Sequence, residues 1–191
     1  ALNNNPGVIL FGNGVYLFDQ ALTLPDNVII RGNGADSTTL RFAASGDLIQ
    51  ITGSIESQQI NVLQDASKNQ TYLVLETNHN LSSGDYLKLT LDDAGLVTSS
   101  WANRTVGQII EITHVVNDTV FLRSPLRMDY PITLSPWIQK IVPRKNVGIE
   151  CLKVLRGTND AFQSDNIHFE YAVESWVKGV ESDSCNYAHI G

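Results

Sequence analysis

Residues 7–42 read GVILFGNGVYLFDQALTLPDNVIIRGNGADSTTLRF. Five short apolar runs, GVILF, GVYLF, LTL, NVIIRG and TTLRF, succeed one another, each bounded by Gly, Asn, Asp or Pro. Brief runs rich in Val, Ile, Leu and Thr between turn residues are strands. DLIQIT and INVL extend the series to residue 63, and no stretch keeps helical spacing beyond two turns. Sandwiches space their turns about 8–12 residues apart, so these strands are too short and too close for one. They suit a solenoid in which a coil of about 20 residues carries two or three strands with sharp bends between them.

The carboxyl-terminal part repeats the theme. Asn146, Asn166 and Asn186 open NVGIECLKV, NIHFEY and NYAHIG, and Asn27 opens the similar NVIIRG. The 20-residue spacing predicts one Asn per coil. Asn tolerates left-handed backbone, and its amide can bond the neighbouring coil.

Residues 65–135 differ. TYLVLET, DYLKLTL, QIIEITHVV and TVFLRSPL are longer and alternate strictly, with SSGD and VND as turns. Alternation marks strands with one face solvated, hence an antiparallel meander. The expected organisation is coils over 1–64, an inserted antiparallel subdomain over 65–135, and further coils over 136–191. The fold class is all-β, a right-handed parallel β-helix with an inserted meander.

Composition removes several functions. The net charge of −7, with no basic stripe, argues against nucleic acid. No apolar run approaches the roughly 20 residues that span a bilayer. Two cysteines, Cys151 and Cys185, are too few for a disulfide scaffold; a pair of buried thiols or a single bridge both fit. The sequons at Asn69, Asn80, Asn103 and Asn117 all fall in the insert and are read as surface.

Residues 7–63 and 138–191 resemble the pectate lyase superfamily. There a glycine-rich strand, a G-x-Y strand, L-x-L-P and N-V-x-x-x-G-x-G recur in the first coils, and a W-I/V strand in later ones. The closing NIHFEYAVESWVKGVES is similar to those later coils. The resemblance implies a secreted protein acting on polysaccharide, but the same helix serves lyases, hydrolases, epimerases, tailspikes and adhesins. In the calcium lyases an acid and a histidine follow W-I/V; here Lys178 and Gly179 follow. A lysine repels a dication, so calcium-dependent lyase chemistry at this rung is disfavoured; no cofactor or metal-ligand set is predicted, and calcium has no support in the sequence.

Two chemistries can be drawn from the remaining residues. Elimination needs a base and a cation on one exposed face, for which Lys153, Arg156, Lys178 and His168 are candidates. Hydrolysis needs a carboxylate pair. Glu150 and Glu170 occupy equal positions after Asn146 and Asn166 and are expected to stack on neighbouring coils, at about the 4.8 Å strand spacing. Trp101, in the polar loop 92–107, is the aromatic expected to meet sugar, with Arg156 and Glu181 as further contacts; Trp176 is expected to pack between coils. The alternative is a wall of ordinary solvated charges on a non-catalytic adhesin or tailspike-like module. Partners are therefore a polysaccharide and a second chain or further coils, since the sequence reads as a fragment that starts near a capping helix and stops within a strand.

Overall fold

A computed structural model describes residues 7–159 and 163–191. The expectation of a capping element at residues 1–6 lies outside the described residues. The chain forms two compact units, one comprising Ile55–Val142 and the other the flanking segments.

The flanking segments form a parallel β-helix of stacked coils. Its first sheet contains Gly7–Leu10, Val28–Arg31, Gly148–Glu150 and Trp176–Lys178, in that order. The second contains Gly14–Phe18, Thr38–Phe42, Lys153–Arg156 and Glu181–Asp183. The third contains Leu22–Thr23, Ile49–Thr52 and Ile167–Glu170. Every pairing in these sheets is parallel. The strands on either side of the long insertion are direct neighbours: Ile30 pairs with Ile149, and Leu40 with Val154.

Because side chains alternate, one column of each sheet points inward. Ile30, Ile149, Leu40, Val154, Ile49, Ile51 and Ile167 are fully buried, and Phe18 stacks on Phe42 with centroids 4.9 Å apart. Each such side chain contributes roughly 1.5–3 kcal/mol through burial. Phe169, Val177 and Val180 pack against this core, as the alternation predicts.

The bends obey backbone chemistry more than any period. Asn27 and Asn146 are both left-handed, with φ of 60° and 54°. They stack, Asn146 Nδ2 donating to Asn27 Oδ1 at 3.0 Å. Asn13 and Asn33, from the two GNG motifs, form a second rung at 2.9 Å. Gly179 is a left-handed corner (φ 62°) rather than a bulge, and Cys151 (φ 52°) occupies the same corner one coil earlier. The 20-residue Asn spacing is not the coil repeat. Gly148 pairs with Trp176, 28 residues on, so Asn166 belongs to a different bend from Asn146.

The unit Ile55–Val142 is antiparallel. Tyr86–Thr90 lies between Gly107–Val116 and Trp137–Val142; Thr119–Leu122 and Tyr72–Val74 extend one side, and Ile60–Asn61 pairs with Trp137–Val142. Trp137–Val142, expected in the returning coils, is thus a meander strand. Its apolar run fits a coil strand equally well until its partner is known. Leu73, Leu87, Leu89, Ile112, Val120 and Tyr130 form this unit's separate core. The four sequon asparagines are all exposed. Cys151 and Cys185 are free, and no helix among the described residues is long and apolar enough to cross a membrane.

Candidate functional site

The outer face of the first sheet gathers the most organised group of polar and aromatic side chains. Inward-facing Val177 forces its neighbours Trp176 and Lys178 outward. The outer columns are therefore Val8–Ile29–Gly148–Trp176 and Leu10–Arg31–Glu150–Lys178. Trp176 lies against Gly148, where a methyl group would come within 2.6 Å of the indole. Glycine is what lets the indole approach the wall this closely. Trp176 packs against the neighbouring coil through Gly148, on the outer face, and the ring is only partly buried.

Glu150 joins the two columns. Trp176 Nε1 donates to its Oε1 at 2.8 Å, and Arg31 Nε donates to its Oε2 at 2.5 Å. Hydrogen bonds from Trp176 and then Arg31, with the charge of Lys178 adding to them, hold the Glu150 carboxyl below its usual pKa. The group is an ionised acceptor, not a proton donor. A column with one carboxylate between two cations also offers little to a calcium ion.

The second sheet carries a parallel arrangement. Lys153 Nζ lies 2.6 Å from Glu181 Oε1 and 3.0 Å from Asp183 Oδ2. The hydrogen bond to Glu181, then that to Asp183, raises the Lys153 pKa, while Lys153 lowers that of Asp183. A concavity of about 510 Å³ lies on this sheet, lined by Leu17, Phe18, Asp19, Arg41, Ala43 and Gly157. None of the residues singled out from the sequence lines it.

The remaining candidates separate. Glu170 is exposed on the third sheet beside Thr52, while Glu150 pairs with Arg31 and Lys178 on the first. They do not stack, because equal distance from two asparagines is not equal position in the coil. His168 is on the third sheet, 2.9 Å from Asp165 Oδ2. Arg156 faces inward and is 4% exposed. Its Nε donates to Asn166 Oδ1 and its Nη2 to the carbonyls of Gly46 and Asp165. A sugar-facing role for Arg156 is corrected by that burial. The grouping of Lys153, Arg156, Lys178 and His168 on one face likewise dissolves, since they occupy three sheets and the interior.

Trp101 lies in the other unit and is 82% exposed. Its loop is anchored by buried Asp93, which accepts from the backbone N–H groups of Arg104 and Val106. Arg31 and Gly148 were not singled out from the sequence, although Gly148 two residues before Glu150 is the signal that a ring could lie there.

Ionised Glu150 sets a pH expectation. A carboxyl with a depressed folded-state pKa contributes stability above its unfolded value, and that contribution disappears as pH falls through the folded value. The difference in thermal stability between the native chain and Glu150→Gln should be constant above about pH 5.5 and shrink below the ordinary carboxylate range. A difference that shrinks already between pH 7 and 6 contradicts the hydrogen-bonded geometry.

No protein-family model and no curated protein matches the chain. Solved structures do. The tailspike gp61 of Pseudomonas phage phi297 matches with a TM-score of 0.74 at 14% identity, over 93% of this chain and 29% of that one. The tailspike gp49 of Pseudomonas phage LKA1 gives 0.66 at 21% identity, over 95% and 31%. The gp54 tailspike of the Acinetobacter baumannii bacteriophage AP22, solved in complex with A. baumannii capsular saccharide, gives 0.56 at 15% identity, over 96% and 31%. The class is thus a parallel β-helix with an antiparallel insertion, a fold shared with phage tailspikes. The chain spans about a third of the length of these proteins, and the three structures are tailspikes rather than pectate lyases.

Proposed function

We propose that this chain is the β-helical part of an extracellular, tailspike-like protein that grips a bacterial surface polysaccharide on the outer wall of its first sheet. The observation that carries the reading is the Trp176 indole laid on Gly148, with Glu150 and Arg31 fixed beside it. An aromatic face offers a sugar ring its apolar side, and a rigid ionised carboxylate accepts from the hydroxyls around it. Both groups are held before ligand arrives, which lowers the cost of binding. The saccharide carried by the AP22 tailspike supports capsular polysaccharide as the class of partner. Further coils or a second chain would extend the wall on either side. Binding is preferred to hydrolysis, since Glu150 and Glu170 stand on different sheets and form no carboxylate pair.

The test is a titration of capsular oligosaccharides by calorimetry. The native chain is expected to bind at least one of them, and Trp176→Ala to weaken that binding about ten-fold or more, the equivalent of ~1.4 kcal/mol. Glu170→Gln should leave it unchanged. Equal affinity in Trp176→Ala, or loss in Glu170→Gln alone, overturns the placement. New reducing or unsaturated ends from the same oligosaccharides would add catalysis to the reading.

A further inference from the structure

The bend that leads into the third sheet holds a cluster that the saccharide reading does not use. Asp47 precedes Ile49–Thr52 in one coil, and Asp165 and His168 lie at the start of Ile167–Glu170 in the next. The two strands are register neighbours, His168 beside Gln50. His168 Nδ1 is 2.9 Å from Asp165 Oδ2 and 3.8 Å from Asp47 Oδ2. One potential ligand atom from each residue lies within 4.8 Å of the others. Neighbouring ligands on a cation with bonds of about 2.0–2.2 Å are separated by roughly 3–3.5 Å, so Asp47 has to close on His168 and the His168–Asp165 contact to open slightly.

A second observation points the same way. The Asp165 side chain is 9% exposed, and its Oδ1 is buried without any hydrogen-bond partner. A buried carboxylate oxygen without a donor is costly. The imidazole cannot relieve both acids, since Nδ1 carries at most one proton and two carboxylates converge on it. Asp47 is aimed by the backbone: its Oδ1 accepts from the Asp165 N–H at 2.7 Å, which leaves Oδ2 towards His168.

We propose that Asp47, Asp165 and His168 bind a first-row divalent cation, with Zn²⁺ the best match to two carboxylates and one imidazole. Calcium matches poorly, because it takes six to eight oxygens and no imidazole. On binding, His168 Nδ1 releases any proton to solvent and ligates through its lone pair, and water completes the shell. The ion would staple two stacked coils whose ligands stand 118 residues apart, on either side of the insertion.

The test uses the whole 191-residue chain, stripped with a chelator and titrated with ZnCl₂ by calorimetry, with thermal unfolding and Co²⁺ absorption in parallel. The expected result is one equivalent bound, visible Co²⁺ bands from an imidazole-bearing site, and a Tm raised by about 5–10 °C at a hundred-fold excess over Kd. Asp47→Asn should weaken Zn²⁺ at least ten-fold, with its metal-free Tm reporting that it folds. His168→Gln should abolish the Co²⁺ bands. Absence of saturable Zn²⁺ binding, binding indifferent to both substitutions, or Ca²⁺ bound more tightly than Zn²⁺ overturns the proposal. The Co²⁺ spectrum of the unaltered chain decides the matter even if a variant fails to fold.

Discussion

Arg156→Met is expected to destabilise the chain by about 3–5 kcal/mol, the largest loss anticipated from any single polar substitution in it. Arg156 lies at the end of an inward column that begins with Phe18 and Phe42, and it is 4% exposed. Its guanidinium is the donor for Asn166 Oδ1 and for the carbonyls of Gly46 and Asp165. Asn166 is itself fully buried and donates onward to Ser182 Oγ and the Asp183 carbonyl. Methionine fills similar space but removes three charge-assisted hydrogen bonds and takes the Arg156 donor from buried Asn166 Oδ1, while the Asp165 carbonyl keeps the Leu48 N–H; hydrogen bonds to charged groups contribute about 1.5–3 kcal/mol each. For a chain of this size the Tm should fall by about 6–20 °C. A variant that melts within one degree of the native chain would show that Arg156 is not the donor at the centre of this network.

The second large effect separates two motifs that look identical in the sequence. Gly12 and Gly32 each open a GNG. A methyl group at Gly32 would meet the Cys151 carbonyl oxygen at 2.5 Å, Thr38 Cβ at 2.7 Å and Leu152 Cβ at 2.9 Å. The Cys151 and Leu152 atoms belong to a coil that arrives after the insertion and Thr38 to the next strand of the coil that holds Gly32, and parallel pairing fixes both, so they cannot yield cheaply. Gly32→Ala should cost about 3 kcal/mol by overpacking. At Gly12 the nearest atom is the Tyr16 hydroxyl oxygen at 3.6 Å, an ordinary contact. Gly12→Ala should stay within about 0.5 kcal/mol of native. Matched urea denaturations decide it: equal shifts in the two variants contradict the stacking of Gly32 under Cys151.

These two motifs also show what the sequence could and could not disclose. All seven strands read from residues 7–63 are present, and so are the four long strands of the insert, because apolar runs between Gly and Asn punctuation are local information. Stacking register is not local. Between the first and second sheets one coil uses Cys151 and Leu152 as its bend, whereas another uses residues 32–37. Register partners are 21 residues apart at Gly7–Val28 but 28 apart at Gly148–Trp176, although that later coil has the shorter of these two bends. No fixed period exists to be found, and a search for one aligned Glu150 with Glu170.

The same gap explains the site. Outward placement of Lys178 and Glu181 follows from alternation, and both are exposed. Arg31 is 119 residues from Glu150 and Asp47 is 118 from Asp165, distances that no motif spans. Arg156 misled for a related reason. A charged residue ending a strand is read as solvated, yet it alternates with Leu155 and so points inward with Val154.

The central claim is that sugar binds on the first sheet, against Trp176. A crystal structure of the chain with the tightest-binding oligosaccharide from a capsular panel tests it most directly. The expected result is a sugar ring within about 4 Å of the Trp176 indole and a hydroxyl hydrogen-bonded to Glu150. Sugar bound only at the Trp101 loop, or in the concavity lined by Leu17 and Arg41, with the Trp176 wall bare, would contradict it.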